Sequence, residues 1–288
     1  MTTAGALLEL FRPRQWVKNA FVLVGLVFGH AWRDPHMVAL AAGATVSFCL
    51  ASGAVYAFND ARDAAQDRGH PDKRRRPVAR GALSERQATG AAAVAAALAL
   101  AVAGALGPVA LLIVAAYLAL SAAYTLKLKR IPVVDVGVIA AGFMLRLLAG
   151  TAGIGIEPSG WLLACGFLLT LFLGFAKRRA EISRLAEGAG RHRAVLESYD
   201  ARQLDRAILS CAVAMTLAYG LYAASPDTER LHGPGLVLTL PWVAAGTARY
   251  LVRLRAGGGG DPTEELLRDR WLALCVAGWL ATVLWLIG

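Results

Sequence analysis

Three aspartates recur at intervals of three and four residues near the end of the second apolar stretch of the chain. They are Asp60, Asp63 and Asp67, and Asn59 precedes them directly. On a continuing helix, this spacing places the three carboxylates on one face within about 11 Å of rise. Carboxylates so close repel one another, and a divalent cation that also binds substrate phosphates relieves the repulsion. We therefore expect a Mg²⁺ site, with Mn²⁺ as the alternative ion, and the competing interpretation is a solvated helix face.

A basic segment follows the aspartates. It covers residues 70–81 and includes Lys73, Arg74 and Arg80. Alone, such a cluster would indicate an ordinary cytoplasmic loop or a contact with anionic lipid. Next to carboxylates that hold a metal, its cations could bind a diphosphate leaving group and neutralise the charge that develops on it. The two segments together predict transfer of a group from a diphosphate donor.

The apolar stretches decide the fold class. Of the 288 residues, 57% are hydrophobic and 17% are charged, and the mean hydropathy of +0.52 excludes an ordinary soluble domain. Continuous apolar stretches of this length cross a hydrocarbon core of about 30 Å as helices, so we predict an all-α, polytopic membrane protein with nine spans in a single domain, residues 1–288. The expected spans are 16–32, 37–59, 87–106, 108–126, 132–150, 160–176, 206–224, 234–252 and 270–287.

The basic residues predict the orientation of the chain. All but three of the 30 Lys and Arg residues lie on one side of the predicted spans, the exceptions being Arg33, Arg146 and Arg230. Basic residues concentrate in cytoplasmic loops, so we expect a bacterial plasma-membrane protein with a cytoplasmic N-terminus and an external C-terminus. The net charge of +10 is then explained by these loops, which lie next to membrane lipids. We expect the lipids as partners and no binding of nucleic acid. The cytoplasmic loops are expected at about 59–86, 127–131, 177–205 and 253–269.

The motif at residues 59–67, at the cytoplasmic end of the second of nine spans, resembles the first aspartate-rich motif of the UbiA prenyltransferase superfamily. The resemblance covers nearly the whole chain. It implies a helical bundle with an active site at its cytoplasmic face. In that family, Mg²⁺ and aspartate-rich motifs bind a prenyl diphosphate, and the prenyl group is transferred to an acceptor.

The chain departs from that family where a second aspartate-rich motif would follow the sixth span. Residues 175–181 read Phe-Ala-Lys-Arg-Arg-Ala-Glu, a basic set that suits an additional phosphate monoester better than a second metal-bound diphosphate. With residues 12–19 and 259–270, this segment resembles the decaprenyl-phosphate phosphoribosyltransferase branch. That resemblance implies phosphoribosyl diphosphate as donor, a polyprenyl phosphate as acceptor, release of diphosphate, and a place in the synthesis of cell-wall arabinan (arabinogalactan) precursors.

The motif, the basic segments and the resemblance together give the expected site. Asp60, Asp63 and Asp67 are expected to be catalytic and to hold the metal. For Lys18 and Asn19, anchoring of the first helix is an equal alternative to substrate binding. The residues expected to bind substrate are Lys18, Asn19, Asn59, Lys73, Arg74, Arg80, Tyr124, Lys127, Asp135, Lys177 and Arg178.

Two other functions stay open. One is an ordinary UbiA-type prenyltransferase with an aromatic or heme-like acceptor, against which the missing second acidic motif argues. The other is a non-enzymatic lipid-phosphate transporter, for which more buried charges near mid-membrane would be expected. Arg146 is the one deep basic residue, and we expect it to be structural. The four cysteines lie in apolar spans without metal-ligand spacing, which predicts free thiols, and a homo-oligomer is left open.

Overall fold

The computed structural model describes residues 3–69, 71, 73–186, 199–260 and 262–287. Within these ranges every regular element is a helix, which confirms the all-α prediction. The chain divides into two compact units, one made of Met1–Lys129 with Gly142–Pro158 and the other of Arg130–Ala141 with Ser159–Gly288. The single domain expected from the sequence stays a prediction.

The first unit begins with a short helix and a 3-10 segment and continues with long helices. Asp34 caps the first long helix by accepting a hydrogen bond from the backbone N–H of His36, and Ser84 and Gln87 form a capping box for the next. Gly107, with φ +140° and a proline after it, makes the predicted tight turn between two helices. The elements are α1 Thr3–Leu10, the 3-10 segment Pro13–Leu23, α2 Val24–Phe28, α3 Pro35–Arg62, α4 Ala64–Arg68, α5 Glu85–Leu106, α6 Pro108–Leu126 and the second half of α7 Val134–Ala149.

Small residues allow close packing in the first unit. Ala44 of α3 and Ala99 of α5 are buried in one hydrophobic core, and Ser47 donates a hydrogen bond to the Ala99 carbonyl at 2.8 Å. Gly25 and Gly150 are closer still. A Cβ at Gly150 would overlap the carbonyl of Val22, and one at Gly25 would overlap the carbonyl of Gly150. The backbones therefore touch directly at these two glycines.

The second unit is also helical, and its core lies between α8, α9, α11 and α13. Phe172 and Tyr250 meet edge to face with ring centroids 5.3 Å apart, and Ile208 and Leu272 are buried in the same cluster. Aromatic pairs of this geometry stabilise a core beyond the area they bury. The elements are the first half of α7, α8 Gly160–Ala186, α9 Ala201–Ala223, α10 Pro226–His232, α11 Leu240–Arg255, α12 Pro262–Arg268 and α13 Arg270–Ile287.

By length and composition, seven helices of the described ranges can cross a membrane. They are α3, α5, α6, α7 with its following turn, α8, α9 and α13. Helix α10 and the helical stretch Leu236–Arg255 add an eighth if this pair, bent by 94°, is one span. The chain is thus a multi-pass membrane protein, while the predicted number of nine is not confirmed.

The predicted spans and loops differ from the structure in two respects. The first expected span, 16–32, is not one α-helix, because it consists of the 3-10 segment followed by the short helix α2. It is therefore not among the seven long apolar helices. Parts of the expected loops are helical: α3 continues to Arg62, and α8 continues to Ala186. Charged helix ends can extend into water beyond the apolar part, which the hydropathy pattern alone does not reveal. Residues 187–198 of the expected loop 177–205 lie outside the described residues.

Candidate active site

Asp60 lies on the last turn of α3 and is buried, with 1% of its side chain exposed. Its Oδ1 atom is 2.5 Å from Nη2 of Arg12 and 3.2 Å from Nη1 of Arg76. Arg12 has a left-handed φ of +51° and lies over the ring of Tyr56. Burial lowers the pKa of Arg12, and the neighbouring Asp60 carboxylate opposes that shift. Two arginines from different parts of the chain therefore hold one buried carboxylate.

The other two aspartates have different partners. Asp67, on α4, is 3% exposed and 2.7 Å from Nη1 of Arg76, so Arg76 bridges Asp60 and Asp67. Asp63 caps the end of α3, is 28% exposed, and pairs with Lys129 at 3.0 Å. The expected continuing helix ends at Arg62 and restarts at α4, so the three carboxylates do not share one helix face.

Two oxygen atoms next to the aspartates have contrasting surroundings. Oδ2 of Asp60 is buried and has no hydrogen-bond partner among the described residues. Oδ1 of Asn59 accepts a hydrogen bond from the hydroxyl of Thr125 at 2.5 Å. In the described part of the chain, no three His, Cys, Asp or Glu side chains are grouped closely enough to hold a metal ion. The unpartnered Asp60 oxygen nevertheless leaves the site with unused binding capacity for a cation.

Arg80, in the basic segment after α4, is bound to other protein groups. Arg80 forms two hydrogen bonds to the Glu9 carboxylate, at 2.9 and 2.7 Å, and a third to the carbonyl of Arg75. The hydrogen bonds to Glu9 raise the pKa of Arg80. Arg74 is exposed and Lys73 is half-buried. Of these three expected phosphate ligands, Arg80 already has an anionic partner in the structure.

The 3-10 segment separates the polar residues that the sequence places close together. Two of its three faces have uniform burial, as 3-10 geometry allows: residues 14, 17, 20 and 23 are exposed, and residues 15, 18 and 21 are half-buried. Arg14 is on an exposed face, Gln15 and Lys18 are on a half-buried face, and Asn19 is buried at 1% exposure. The Asn19 amide donates to Sγ of Cys49 and to Oγ of Ser52 on α3. These contacts are compatible with the anchoring role expected for Asn19, and its part in substrate binding stays a prediction.

A second buried cluster of charges lies in the second unit. Asp135, at the start of α7, and Arg178, on α8, are both 0% exposed, and Oδ2 of Asp135 is 2.6 Å from Nε of Arg178. These two atoms form no hydrogen bond, so the contact is an ion pair. Nη1 of Arg178 also donates to Glu181 at 2.5 Å. The charge of Arg178 is therefore balanced by two carboxylates within its own unit.

Tyr199 completes this second cluster. Its hydroxyl donates to Oδ1 of Asp135 at 2.5 Å and accepts from the backbone N–H of Val133 at 2.6 Å. Burial and the hydrogen bond to Asp135 raise the pKa of Tyr199 to about 12. The hydroxyl therefore stays protonated throughout the neutral pH range.

The remaining expected ligands are at least partly accessible. Lys177 is half-buried next to Arg178, Tyr124 is half-buried near the end of α6, and Lys127 is exposed at the C-cap of that helix. These positions are compatible with contacts to substrate, and their roles stay predictions.

A family model described as the UbiA prenyltransferase family matches residues 19–262. The chain belongs to the UbiA prenyltransferase family. This membership favours an enzyme over the lipid-phosphate transporter considered from the sequence.

Relatives and a solved structure of the UbiA family agree with that assignment. Two relatives are named decaprenyl-phosphate phosphoribosyltransferase. The one from Mycobacterium tuberculosis is 37% identical over 280 residues, which cover 96% of this chain and 92% of the relative. The one from Mycolicibacterium smegmatis is 34% identical over 291 residues, which cover 96% and 91%. A solved UbiA homologue from Archaeoglobus fulgidus, bound to GPP and Mg²⁺, has a TM-score of 0.71 at 19% identity and covers 98% of this chain and 99% of that one.

Within this UbiA fold, the expected residues have partners that the sequence did not predict. Arg12, Arg76 and Lys129 contact the motif aspartates, and Tyr199 contacts Asp135. Arg76 lies within the basic segment that the sequence singled out, but its reach to both Asp60 and Asp67 follows from the break between α3 and α4. The other contacts join residues far apart in the chain, and spacing alone carries no signal for them.

Proposed function

We propose that the protein transfers the 5-phosphoribosyl group of phosphoribosyl diphosphate to a polyprenyl phosphate, decaprenyl phosphate being the acceptor that its relatives' names indicate, and releases diphosphate. The observation that carries the proposal is the identity of 34% and 37% to two decaprenyl-phosphate phosphoribosyltransferases across 96% of the chain. The residues around the aspartate motif agree with polyanionic substrates, because buried carboxylates lie next to several cations. Participation in cell-wall arabinan synthesis stays part of the proposal.

The aspartate motif suits a divalent metal, and we assign Mg²⁺ to it, with Mn²⁺ as the alternative. Carboxylate oxygens are the ligands that these hard cations prefer, and Oδ2 of Asp60 is buried without a partner. Asp60 would hold the ion, and Asp63 and Asp67 stay its predicted further ligands, although in this structure they pair with Lys129 and Arg76. The ion would supply charge neutralisation for the leaving diphosphate. The Archaeoglobus fulgidus homologue, which has this fold, is bound to GPP and Mg²⁺ together, and this supports a metal-dependent donor site.

The transfer itself needs positioning and charge stabilisation more than proton transfer. An oxygen of the lipid phosphate, already ionised, forms a bond to the anomeric carbon of the ribose, and the bond from that carbon to the diphosphate oxygen breaks. The bonding electrons leave with the diphosphate, and attack from the opposite face inverts the anomeric centre. Arg12 and Arg76, both next to Asp60, can stabilise the charge that collects on the leaving group. No general base is required.

The extra 5-phosphate of the donor calls for a cation that prenyl diphosphates do not need. Arg178 has two carboxylate partners and no exposed surface, so we assign it to positioning. Lys177, half-buried beside it, is the proposed phosphate ligand of that segment. Lys73 and Arg74 are further candidates, since they lie in the basic segment that follows α4.

The proposed topology has nine spans, a cytoplasmic N-terminus and an external C-terminus in a bacterial plasma membrane. Eleven residues of the 3-10 segment rise about 22 Å, and the five residues of α2 add about 7 Å, which together approach the thickness of a hydrocarbon core. With this segment and the bent pair counted as spans, the seven helices become nine. The one-sided distribution of Lys and Arg supports the orientation.

The decisive experiment gives purified protein two substrate pairs in separate reactions with Mg²⁺. One contains radiolabelled phosphoribosyl diphosphate and polyprenyl phosphate, and the other contains a prenyl diphosphate and 4-hydroxybenzoate. Labelled lipid product and released diphosphate are expected only in the first. Product only in the second would replace the proposal by the ordinary prenyltransferase, and omission of the lipid phosphate from the first reaction controls for hydrolysis of the donor.

A further inference from the structure

Arg146 is a buried cation inside a membrane-spanning helix. It lies on α7, and its side chain is 6% exposed. Among the described residues, no carboxylate forms an ion pair with it, whereas the buried Arg178 has two such partners. A buried cation without a counter-ion is costly in a bilayer, so its retention calls for a specific role.

Each of the three nitrogen atoms of the Arg146 guanidinium donates a hydrogen bond to a neutral group. Nε donates to Oδ1 of Asn19 at 2.9 Å, Nη1 donates to the carbonyl of Gly142 at 2.8 Å, and Nη2 donates to the hydroxyl of Tyr117 at 2.9 Å. The rings of Phe48, Tyr117 and Phe143 lie 4.8–5.7 Å from the guanidinium carbon. These bonds and cation–π contacts fix the orientation of the side chain.

Asn19 links the fixed Arg146 side chain to the 3-10 segment through hydrogen bonds. Its oxygen accepts from Arg146, and its nitrogen donates to Cys49 and Ser52 on α3. The bonds tie the middle of Pro13–Leu23 to two neighbouring helices. An 11-residue 3-10 helix is unusual, because the 3-10 geometry is less favourable than the α-helix beyond about four residues. Such a segment therefore needs an external anchor, and this cluster supplies one.

The 3-10 form determines which polar side chains share a face. Arg14 and Lys18 lie about 120° apart around a 3-10 helix but only about 40° apart around an α-helix. Likewise, Arg12 and Asn19 are separated by about 14 Å of rise in the 3-10 form and about 10 Å in the α form. Conversion would thus turn Lys18 toward the face of Arg14 and shift Arg12 by more than the 2.5 Å that joins it to Asp60.

We propose that Arg146 is a positioning residue that holds residues 13–23 in the 3-10 form through Asn19. It thereby keeps Arg12 on Asp60 and Lys18 on the half-buried face. The effect of this positioning on catalysis rests on the proposed function, because Arg12 and Lys18 would contribute to catalysis by helping to bind the donor. The role in positioning is independent of the substrate.

A labelling experiment tests the positioning without substrate. Arg14→Cys and Lys18→Cys are made separately, and each is labelled with a water-soluble maleimide in open membranes. The rate of the chain without an introduced cysteine is subtracted, because four native cysteines are present. In the native background, position 14 should react about 10-fold faster than position 18, as expected for adjacent exposed and half-buried faces 120° apart.

Two variants should reduce this ratio to about 3-fold or less, since either one removes the bond that holds the 3-10 form. They are Arg146→Met and Asn19→Ala, and the double variant should change the ratio no further, because both remove one shared interaction. Ser47→Ala is the matched control. It removes a buried hydrogen bond between α3 and α5 and should leave the ratio unchanged.

Donor kinetics show whether the positioning serves the reaction. Asn19→Ala should raise the KM for phosphoribosyl diphosphate about 10-fold with a smaller change in kcat, as for loss of a charge-assisted contact. A labelling ratio that stays near 10 in folded Arg146→Met or Asn19→Ala overturns the proposal, and if Arg146→Met does not fold, Asn19→Ala decides. A reduced ratio in a protein with no phosphoribosyl transfer would keep the positioning role and reject the proposed function.

Discussion

Two clusters of the molecule combine a buried aspartate with arginine, and they differ in how tightly that pair is enclosed. At Asp60, the arginines Arg12 and Arg76 are 28% and 26% exposed, and one carboxylate oxygen has no partner among the described residues. At Asp135, the aspartate and Arg178 are both 0% exposed, and Glu181 and Tyr199 add further contacts. Arginines that already reach water can exchange partners at small cost, whereas enclosed ones cannot. We therefore expect the first cluster to bind ligands and the second to stabilise the fold.

The largest effect is expected from Asp135→Asn. It leaves Arg178 buried with half of its compensation, and breaking a buried ion pair costs about 3 to 5 kcal/mol. The free energy of unfolding in detergent, measured by denaturant titration, should fall by that amount. Asp227→Asn is the control, because Asp227 is an exposed aspartate that also pairs with an arginine. An equally stable Asp135→Asn protein would contradict the proposed division between the clusters.

Asp60→Asn should have the opposite profile. Removal of a ligand charge uncouples the metal from the diphosphate, so kcat/KM for phosphoribosyl diphosphate should drop at least about 100-fold, equivalent to about 2.7 kcal/mol. Stability should change less than in Asp135→Asn, because Arg12 and Arg76 can turn to water. Near-normal turnover at saturating Mg²⁺ would make the aspartate motif structural.

Tyr199→Phe sharpens the comparison within the second cluster. The variant keeps the ring and removes the hydroxyl that joins Asp135 to the Val133 amide. Loss of these hydrogen bonds should reduce stability by about 1 to 3 kcal/mol and leave the donor KM within about twofold. If the change in KM, converted to a free energy, exceeded the change in the unfolding free energy, this cluster would belong to the binding site.

The smallest effect concerns a third carboxylate–arginine pair, Asp269 with Arg249, at 2.7 Å. Hydrogen bonds from Arg249 and from the Leu272 amide lower the pKa of Asp269 to about 2. Because the folded pKa lies below the ordinary value, the stabilisation is complete above about pH 4 and is lost as pH falls toward 2. Thermal unfolding midpoints between pH 5 and pH 2 should therefore fall more steeply for the native chain than for Asp269→Asn. Parallel curves would show that Asp269 does not contribute.

The sequence was most informative where one physical signal dominates. Hydropathy located the helices α5 and α6 and the turn at Gly107, since a long apolar stretch must turn where glycine and proline interrupt it. Spacing found the motif aspartates. It could not show that Asp63 ends a helix and turns to Lys129, because the three-residue interval fits a helix whether or not the chain continues as one.

The 3-10 segment shows a second limit. Residues 13–23 read as the polar entrance to an apolar span, and both helix types place residues three apart near one another. The choice between them depends on Asn19 meeting Arg146, a contact across 127 positions. Likewise, Lys177 and Arg178 are adjacent and both basic. Only tertiary contacts determine that Lys177 is half-buried and Arg178 fully buried.

The direct backbone contact at Gly25 and Gly150 has a consequence for reading mutational scans of this protein. Even the methyl group of alanine at Gly150 would collide with a main-chain carbonyl, which cannot rotate away as a side chain can. Gly150 should therefore tolerate substitution as poorly as Asp60, although it has no side-chain functional group. Intolerance at a position with no functional group marks a place where two backbones must approach closely. A map of such positions would show where the helices pack most tightly, and it would not show which residues do the chemistry.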